Sequence, residues 1–423
     1  MKARLGSAGA LLTALVLYPL APAGCGGSGG STFDDGGNPG PAAGNPPGNG
    51  SDDVDFGGST GGGTTGSCKG LQCQQQACPG GGSTTVTGRV LDPSGTVPIY
   101  NAVVYVPNAE VEPFAAGVTC DRCGTAPSGQ PVVTALSDAN GNFVLRDVPV
   151  GSNIPLVVQI GRWRRQVRLT QVTACADTKV DPALSRLPRN QAEGDLPRIA
   201  ITTGGADSLE CFLRKLGIDD AEFTPPSGSG RVHLWKGQAG STFKTATPKA
   251  EELWGQASTL KGYDMVILSC EGQEYNDQKP MPAREALRDY LDAGGRVFAS
   301  HFHYTWFKNG AAPLPSTATW VGNDVDNDQT VSIDTSFAKG DAFAEWMVNV
   351  GASTTKGVFP ATQLRRNVSS VPAQGAAADV SRRWVYWKSS AAGGCIRIFT
   401  YRAHPWRGRP SRTSASAGSS PPP

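Results

Sequence analysis

Histidine is scarce in this chain of 423 residues: there are four, and two of them, His301 and His303, stand two apart in the stretch ASHFHYTWF. Imidazole titrates near neutral pH and is the commonest metal ligand, so this pair is the first place to look for chemistry. A second place is SCEGQE, which carries Cys270, Glu271 and Glu274. A cysteine attacks only as its thiolate, with a base in hydrogen-bond reach. The catalytic reading therefore groups Cys270 as nucleophile, His301 as base and Glu271 as a supporting carboxylate. A metal reading places His301 and His303 on one strand face, with Glu271 or Glu274 completing a facial set. The plainer reading makes both histidines structural and puts Cys270 in a disulfide with Cys211 or Cys395. On that reading no cofactor is expected. His233 reads as a satisfied core or edge residue. Asp324, Asp326 and Asp328 resemble the start of a calcium loop, but the glycine and glutamate such a loop needs further on are missing. They read as an acidic surface loop.

These residues need elements to hold them. From Leu196 onward, short apolar runs alternate with helical periodicity. LPRIAITTGG, RVHLW, YDMVILSC and RVFASHFH read as four strands. ADSLECFLRKLG reads as a helix with Asp207 as N-cap and Glu210 at the third position. Thr247 and Pro248 open a second helix, PAREALRDYLDAGG is a third, and Gly340–Gly351 is a later one with Phe343, Trp346, Met347 and Val350 inward. Strand and helix in alternation predict a parallel, doubly wound α/β sheet. Sites in such sheets form outside the carboxyl ends of the strands. That rule brings Thr202–Asp207, Ser269–Glu274 and Ser300–Trp306 to one crevice.

The preceding segment has a different period. From Thr84 to about Pro188 apolar residues alternate, with turn signals at Asp92–Gly95 and Asp138–Gly141. Short strands separated by such turns predict a β-sandwich. GRWRRQVRL sets Arg162, Arg164, Arg165 and Arg168 around Trp163. It reads as a basic strand edge, with a patch for an anionic glycan or lipid headgroup as the alternative.

Further upstream the chain reads as an exported one. Lys2 and Arg4 precede an apolar run that ends LAPAGC, the form of a signal peptide with a lipobox-like end over residues 1–25. Cys25 is the expected lipidation site, although Pro22 stands where an aliphatic residue is usual; plain secretion is the alternative. Residues 26–67 are almost wholly Gly, Ser, Asn, Pro, Asp and Thr and cannot bury enough apolar surface to order themselves. Such a linker spans roughly 35 Å in root-mean-square terms. Ten cysteines in an exported chain point to disulfides, and a zinc pair at Cys120 and Cys123 finds no second pair. The disulfide candidates are Cys68, Cys73, Cys78, Cys120, Cys123, Cys175, Cys211, Cys270 and Cys395, with residues 68–83 as a small cysteine-rich knot stapled to the segment after it. A net charge of +2 argues against a nucleic-acid partner, and no later run has the length of a membrane helix.

Two resemblances emerge from these residues. Gly88, Val90, Asp92, Ala102, Val104, Asp138, Gly141, Phe143, Val148, Pro149 and Gly151 resemble the pattern of the carboxypeptidase regulatory-like (transthyretin-like) domain. That resemblance implies a non-catalytic sandwich over 84–188, and by fold analogy a carbohydrate-binding-like surface. YDMVILSCEGQE followed by YLDAGGRVFASHFH resembles the class I glutamine amidotransferase-like superfamily, and within it the trehalose-utilisation type. That resemblance implies an α/β domain over 196–400. It also implies a nucleophilic cysteine where this chain has His301, while Cys270 lies one strand earlier and a downstream His-x-Glu dyad is missing. Glutamine hydrolysis is therefore not expected. The pairing of the two domains also resembles a set of bacterial lipoproteins without an assigned activity.

CIRIFTY reads as one more strand, and the segment after it, 401–423, as a disordered Arg/Pro/Ser-rich tail. That tail also resembles a frame-shifted translation, which would leave the α/β domain truncated. The leading expectation is an exported, lipid-anchored cell-envelope protein of the outer membrane or cell surface. It would act as a binding or scaffold module without turnover, with a glycan or an envelope protein as partner. The alternatives are a hydrolase of the amidotransferase-like superfamily and a carbohydrate-binding surface protein.

Overall fold

In a computed structural model of the protein, residues 68–119, 127–242, 247–325, 329–362, 364–371, 381–388 and 394–401 are described. The export signal, Cys25, the linker, Cys120, Cys123 and the tail beyond Tyr401 lie outside the described residues.

The first body is a sandwich of seven strands: β1 (Thr85–Arg89), β2 (Val103–Pro107), β3 (Pro131–Leu136), β4 (Asn142–Leu145), β5 (Gly151–Ile160), β6 (Trp163–Val172) and β7 (Asp177–Lys179). They form two sheets, ordered β4-β1-β7 and β3-β2-β5-β6. Alternate residues of both sheets, among them Val86, Val104, Phe143, Leu145, Leu156 and Leu169, meet in one buried core. The two turns expected at Asp92 and Asp138 are built by those carboxylates. Asp92 Oδ1 accepts the amides of Thr96 and Val97, and Asp138 Oδ1 those of Asn140 and Asn142. Each turn closes on a glycine in the left-handed region, Gly95 and Gly141. Disulfides Cys68–Cys73 and Cys78–Cys175 staple the cysteine-rich segment, the second across 97 residues to the end of β6. Two disulfides mark a chain that matures in an oxidising compartment. No helix among the described residues is long and apolar enough to cross a membrane.

After the single turn α1 (Pro182–Ser185), the second body is built from β8 (Ile199–Thr203), α2 (Leu209–Lys215), β9 (Phe223–Thr224), β10 (Val232–Lys236), α3 (Ala250–Trp254), α4 (Ala257–Lys261), β11 (Met265–Leu268), α5 (Met281–Asp292), β12 (Arg296–Ala299) and α6 (Thr305–Lys308). The five strands are ordered β12-β11-β8-β10-β9, every pair parallel. Ile199, Ile201, Val232, Leu234 and Ile267 pack on one face with Phe212 and Leu213 of α2. Ala200, Trp235, Val266 and Leu268 pack on the other with α3, α4 and α5. Burial on both faces explains why β11 is apolar throughout and β8 is apolar up to its two terminal threonines.

Three local expectations change. The helix after β8 starts one residue later, with Ser208 at the cap, so Asp207 is not its cap. The helix expected from Thr247 begins at Ala250 and breaks at Gly255 into α3 and α4. β12 ends at Ala299, and His301–Tyr304 forms a single 3₁₀ turn rather than more strand.

The chain past Thr319 does not extend the parallel sheet. It makes a third body: β13 (Thr319–Val325), β14 (Gln329–Ile333), α7 (Ala338–Asn349), β15 (Val358–Ala361), β16 (Arg365–Ser370), β17 (Ser381–Lys388) and β18 (Gly394–Tyr401). The strands form an antiparallel sheet ordered β13-β16-β18-β17-β14-β15. Phe343, Trp346 and Met347 of α7 are buried against it, and the Trp346 indole donates to the Pro98 carbonyl of the sandwich at 2.8 Å.

Two of the four arginines of the basic strand edge, Arg162 and Arg164, are turned inward, while Arg165 is half-buried and Arg168 exposed. Arg162 pairs with Asp264 at 3.0 Å and Arg164 with Asp195 at 2.8 Å, and both guanidiniums lie over the Phe114 ring. Both arginines are buried, so they are joints between elements rather than an anionic-ligand patch. A cavity of about 110 Å³ lies at the junction of the three bodies, lined by Ile99, Trp163, Met265, Phe343 and Trp346 among others. It is lined by Ile199, Met265 and Arg296, the first residues of β8, β11 and β12, whereas Cys270 and His301 follow the other ends of β11 and β12.

Candidate functional site

The strand order has a switch point between β8 and β11. From β8 the chain winds to β10 on one side; from β11 it winds to β12 on the other. The loops leaving such a pair diverge and leave a crevice at their carboxyl ends. Asp207 follows β8, Cys270 follows β11 and His301 follows β12, and the structure brings all three to this place. One ligand atom from each lies within 4.8 Å of the other two.

The backbone fixes Asp207 there. The loop Gly204–Asp207 crosses the end of β11, and the amides of Ala206 and Asp207 donate to the Cys270 carbonyl at 3.0 and 3.3 Å. A Cβ on Gly204 would stand 2.1 Å from that carbonyl oxygen, so this crossing requires glycine. Asp207 Oδ2 in turn accepts the Cys270 amide at 3.2 Å and the Ser300 hydroxyl at 2.6 Å. One buried carboxylate thereby ties three strand ends together. Its second oxygen, Oδ1, faces Nδ1 of His301 at 3.9 Å, beyond hydrogen-bond reach.

His301 has a left-handed backbone, φ 40°, in the sharp turn from β12 into the 3₁₀ turn. That conformation is strained for a residue with a Cβ, and strain of this kind collects at functional turns. Its side chain is 42% exposed, whereas that of Asp207 is 3% exposed. Cys270 is buried, stands outside both disulfides, and its sulfur accepts the Gly272 amide at 3.4 Å. The expected Cys211–Cys270 disulfide is not formed. Cys211 is exposed on α2, while the sulfur of Cys270 faces Asp207 and His301.

The other predicted site residues form a separate, closed cluster beside the first. His303 is fully used: the Trp306 indole donates to its Nδ1 at 3.1 Å, and its Nε2 meets the Ser269 carbonyl at 2.8 Å. An indole can only donate, so Nδ1 accepts and Nε2 carries the proton. Burial, helped by the nearby Lys279 ammonium, pushes the His303 pKa down to about 3, so the ring is neutral. With both nitrogens engaged it cannot ligate a metal, which corrects the His301/His303 metal reading. Glu271 is likewise withdrawn from chemistry. Its Oε2 pairs with Lys279 Nζ at 2.7 Å, with both side chains essentially inaccessible, and its Oε1 accepts the Gln238 amide at 2.9 Å. The Lys279 ammonium also lies over the Trp254 and Trp306 rings. Glu274 accepts the Tyr304 hydroxyl and the Asn276 amide and approaches Lys308. His233 is a core residue, bonded to the Tyr263 hydroxyl and the Gly230 carbonyl. Asp326 and Asp328 lie outside the described residues, as does the side chain of Asp324.

Asp207 and Lys279 are the two residues that sequence reading misassigned or passed over. For Asp207 a signal exists: an acidic residue after a Gly-Gly pair at the end of the first parallel strand sits where such sheets bind ligands. For Lys279 there is none, because its burial follows from the rings of Trp254, Tyr275 and Trp306, brought together only in the fold.

No protein-family profile matches the chain, and no curated protein matches it. Among solved structures, two complexes from Acetivibrio cellulolyticus align. One is a type II cohesin–X-dockerin complex with a C-terminal interface mutation, at 18% identity over 32% of this chain and 86% of that one, with a TM-score of 0.19. The other carries an N-terminal interface mutation and aligns at 16% identity over 32% and 85%, with a TM-score of 0.17. Scores this low assign neither fold nor function.

Proposed function

We propose that this is an exported protein of the bacterial cell envelope, held to a membrane by lipid on Cys25, that acts as a binding or scaffold module without turnover. In this reading the carboxypeptidase regulatory-like sandwich is a rigid support. The doubly wound, amidotransferase-like body presents its strand-end crevice to a ligand. One observation carries the preference for binding over turnover. Of the catalytic trio Cys270, Glu271 and His301, Glu271 is sealed in an ion pair with Lys279, and His301 stands 3.9 Å from Asp207, the neighbouring carboxylate that would have to orient it. Covalent hydrolysis is favoured where nucleophile, base and orienting group are joined by hydrogen bonds.

The test uses the full-length protein. Fractionation should find it with membranes, and Cys25→Ser should release it. A panel of ester and amide substrates that includes glutamine should show no turnover. Hydrolysis abolished by Cys270→Ser or His301→Ala would overturn the binding reading in favour of a hydrolase. One observation favours that second reading: a left-handed residue in a strand-to-helix turn is the geometry in which α/β hydrolases present a nucleophile.

A further inference from the structure

We infer that Asp207, Cys270 and His301 form a binding site for a thiophilic divalent cation of the zinc type. This deepens the binding reading by naming a ligand class for the strand-end crevice, and it rests on that reading only for the location of the site.

Four observations carry it. The first is donor chemistry. Sulfur, imidazole nitrogen and a single carboxylate oxygen are the set that borderline-soft cations prefer, and the thiolate disfavours calcium and magnesium. The second is distance. Bonds of about 2.0–2.3 Å in a tetrahedral arrangement place ligand atoms roughly 3.3–3.8 Å apart. Asp207 Oδ1 and His301 Nδ1 are 3.9 Å apart, and the whole trio fits within 4.8 Å. His301 is the exposed member, so a small swing of its ring closes the remaining gap.

The third observation is that the ligands are already held. Asp207 is oriented by the Ser300 hydroxyl and the Cys270 amide on Oδ2, which leaves Oδ1 turned toward the trio. Supporting bonds of this kind tune metal ligands. The Gly272 amide donates to Cys270 Sγ, an interaction that favours the thiolate a metal needs. The fourth is charge. The neighbouring Lys279 is already neutralised by Glu271, so it does not cancel the trio. One carboxylate and one thiolate with a neutral imidazole balance a dication, and a neutral centre is the form that a mostly buried place tolerates. On binding, the Cys270 thiol passes its proton to solvent as its sulfur–metal bond forms. The fourth tetrahedral position lies on the solvent side of His301, where a water or a ligand atom completes the shell.

The experiment titrates Co²⁺ into the metal-free full-length protein, anaerobically and with its disulfides intact, followed by competition with Zn²⁺. The expected result is one Co²⁺ per chain, with a thiolate-to-cobalt charge-transfer band, intense tetrahedral ligand-field absorption, and displacement by Zn²⁺. Cys270→Ser should abolish the band. Asp207→Asn and His301→Ala should each weaken binding by roughly tenfold or more. Cys211→Ser should leave binding unchanged. His301→Gly, which suits the local backbone, guards against misfolding as the cause of loss, and circular dichroism checks every variant. A missing band, or binding that survives both Cys270→Ser and His301→Gly, would overturn the site. The two proposals can fail separately: metal binding with metal-dependent turnover keeps the site and refutes the non-catalytic reading, whereas no metal and no turnover does the reverse.

Discussion

Two polar clusters lie side by side at the carboxyl edge of the same parallel sheet, and they are built on opposite plans. In the first, Glu271, Lys279, His303 and Trp306 satisfy one another inside the protein, and both charges are paired out of reach of water. In the second, Asp207, Cys270 and His301 stand within 4.8 Å of one another, Asp207 Oδ1 is 3.9 Å from His301 Nδ1, and His301 reaches solvent on a strained backbone. The closed cluster explains how the edge is held rigid. Under the proposed cation binding that rigidity has a use, since a binding group held within a fraction of an ångström needs a supporting layer that does not move. A carboxylate and an imidazole occur in both, so the role of each of these groups is set by its partners.

The contrast between the clusters can be broken most severely from the closed side. Lys279→Met leaves Glu271 buried without its counter-charge, and the expected loss is about 3–5 kcal/mol of stability. Chemical denaturation followed by tryptophan fluorescence reads this directly. The paired change Lys279→Met with Glu271→Gln should recover most of the loss, and a loss no larger than that of a surface lysine would show that the pair is not sealed.

The next largest effect is a titration. His233 is another internally satisfied imidazole of this sheet, and burial, with the nearby Arg198, lowers its pKa to about 4. The unfolded chain takes up its proton near the ordinary value of 6.5. Stability is therefore complete above pH 6.5 and declines as the pH falls toward 4, by up to about 2–3 kcal/mol. In His233→Gln this segment of the stability–pH curve should become less steep, with the share due to His303 remaining, and an unchanged slope would refute the assignment.

Removing the imidazole of the closed cluster comes third. His303→Leu leaves the Trp306 indole and the Ser269 carbonyl without their partner, at a cost of about 2 kcal/mol. A shift in the unfolding midpoint measures it. The smallest expected effect has the opposite sign. His301→Gly relieves the left-handed strain and should raise stability by about 1 kcal/mol. A stabilising change at a binding residue is what an open, functional cluster predicts; a destabilising one would mean that His301 also holds the fold.

Local signals made much of the architecture legible. Period-two alternation and the carboxylate-built turns at Asp92 and Asp138 mark the sandwich strands, and Cys78 is stapled back to the body as its setting suggested. The buried faces of α5 and α7 follow helical spacing. What escaped was pairwise and long-range. Asp207 looks like a helix cap because an acidic residue before a helix usually is one, yet its carboxylate bonds Cys270 and Ser300, 63 and 93 residues away. The strand expected to run through His303 stops at Ala299, which turns His303 inward to Trp306. The antiparallel sheet after Thr319 has no grammar that separates it from an extension of the α/β body.

The amino-acid sequence by itself determined the sandwich strands, the main strands of the parallel sheet and the sheet edge near which Cys270 and the two histidines lie. These depend on periodicity and turn chemistry within a few residues. Only the tertiary structure decided which imidazole is sealed and which is open, and that Asp207 rather than Glu271 stands beside Cys270. Those outcomes depend on which neighbours desolvate a group and which donors meet it, and such neighbours come from strands and loops dozens of residues apart.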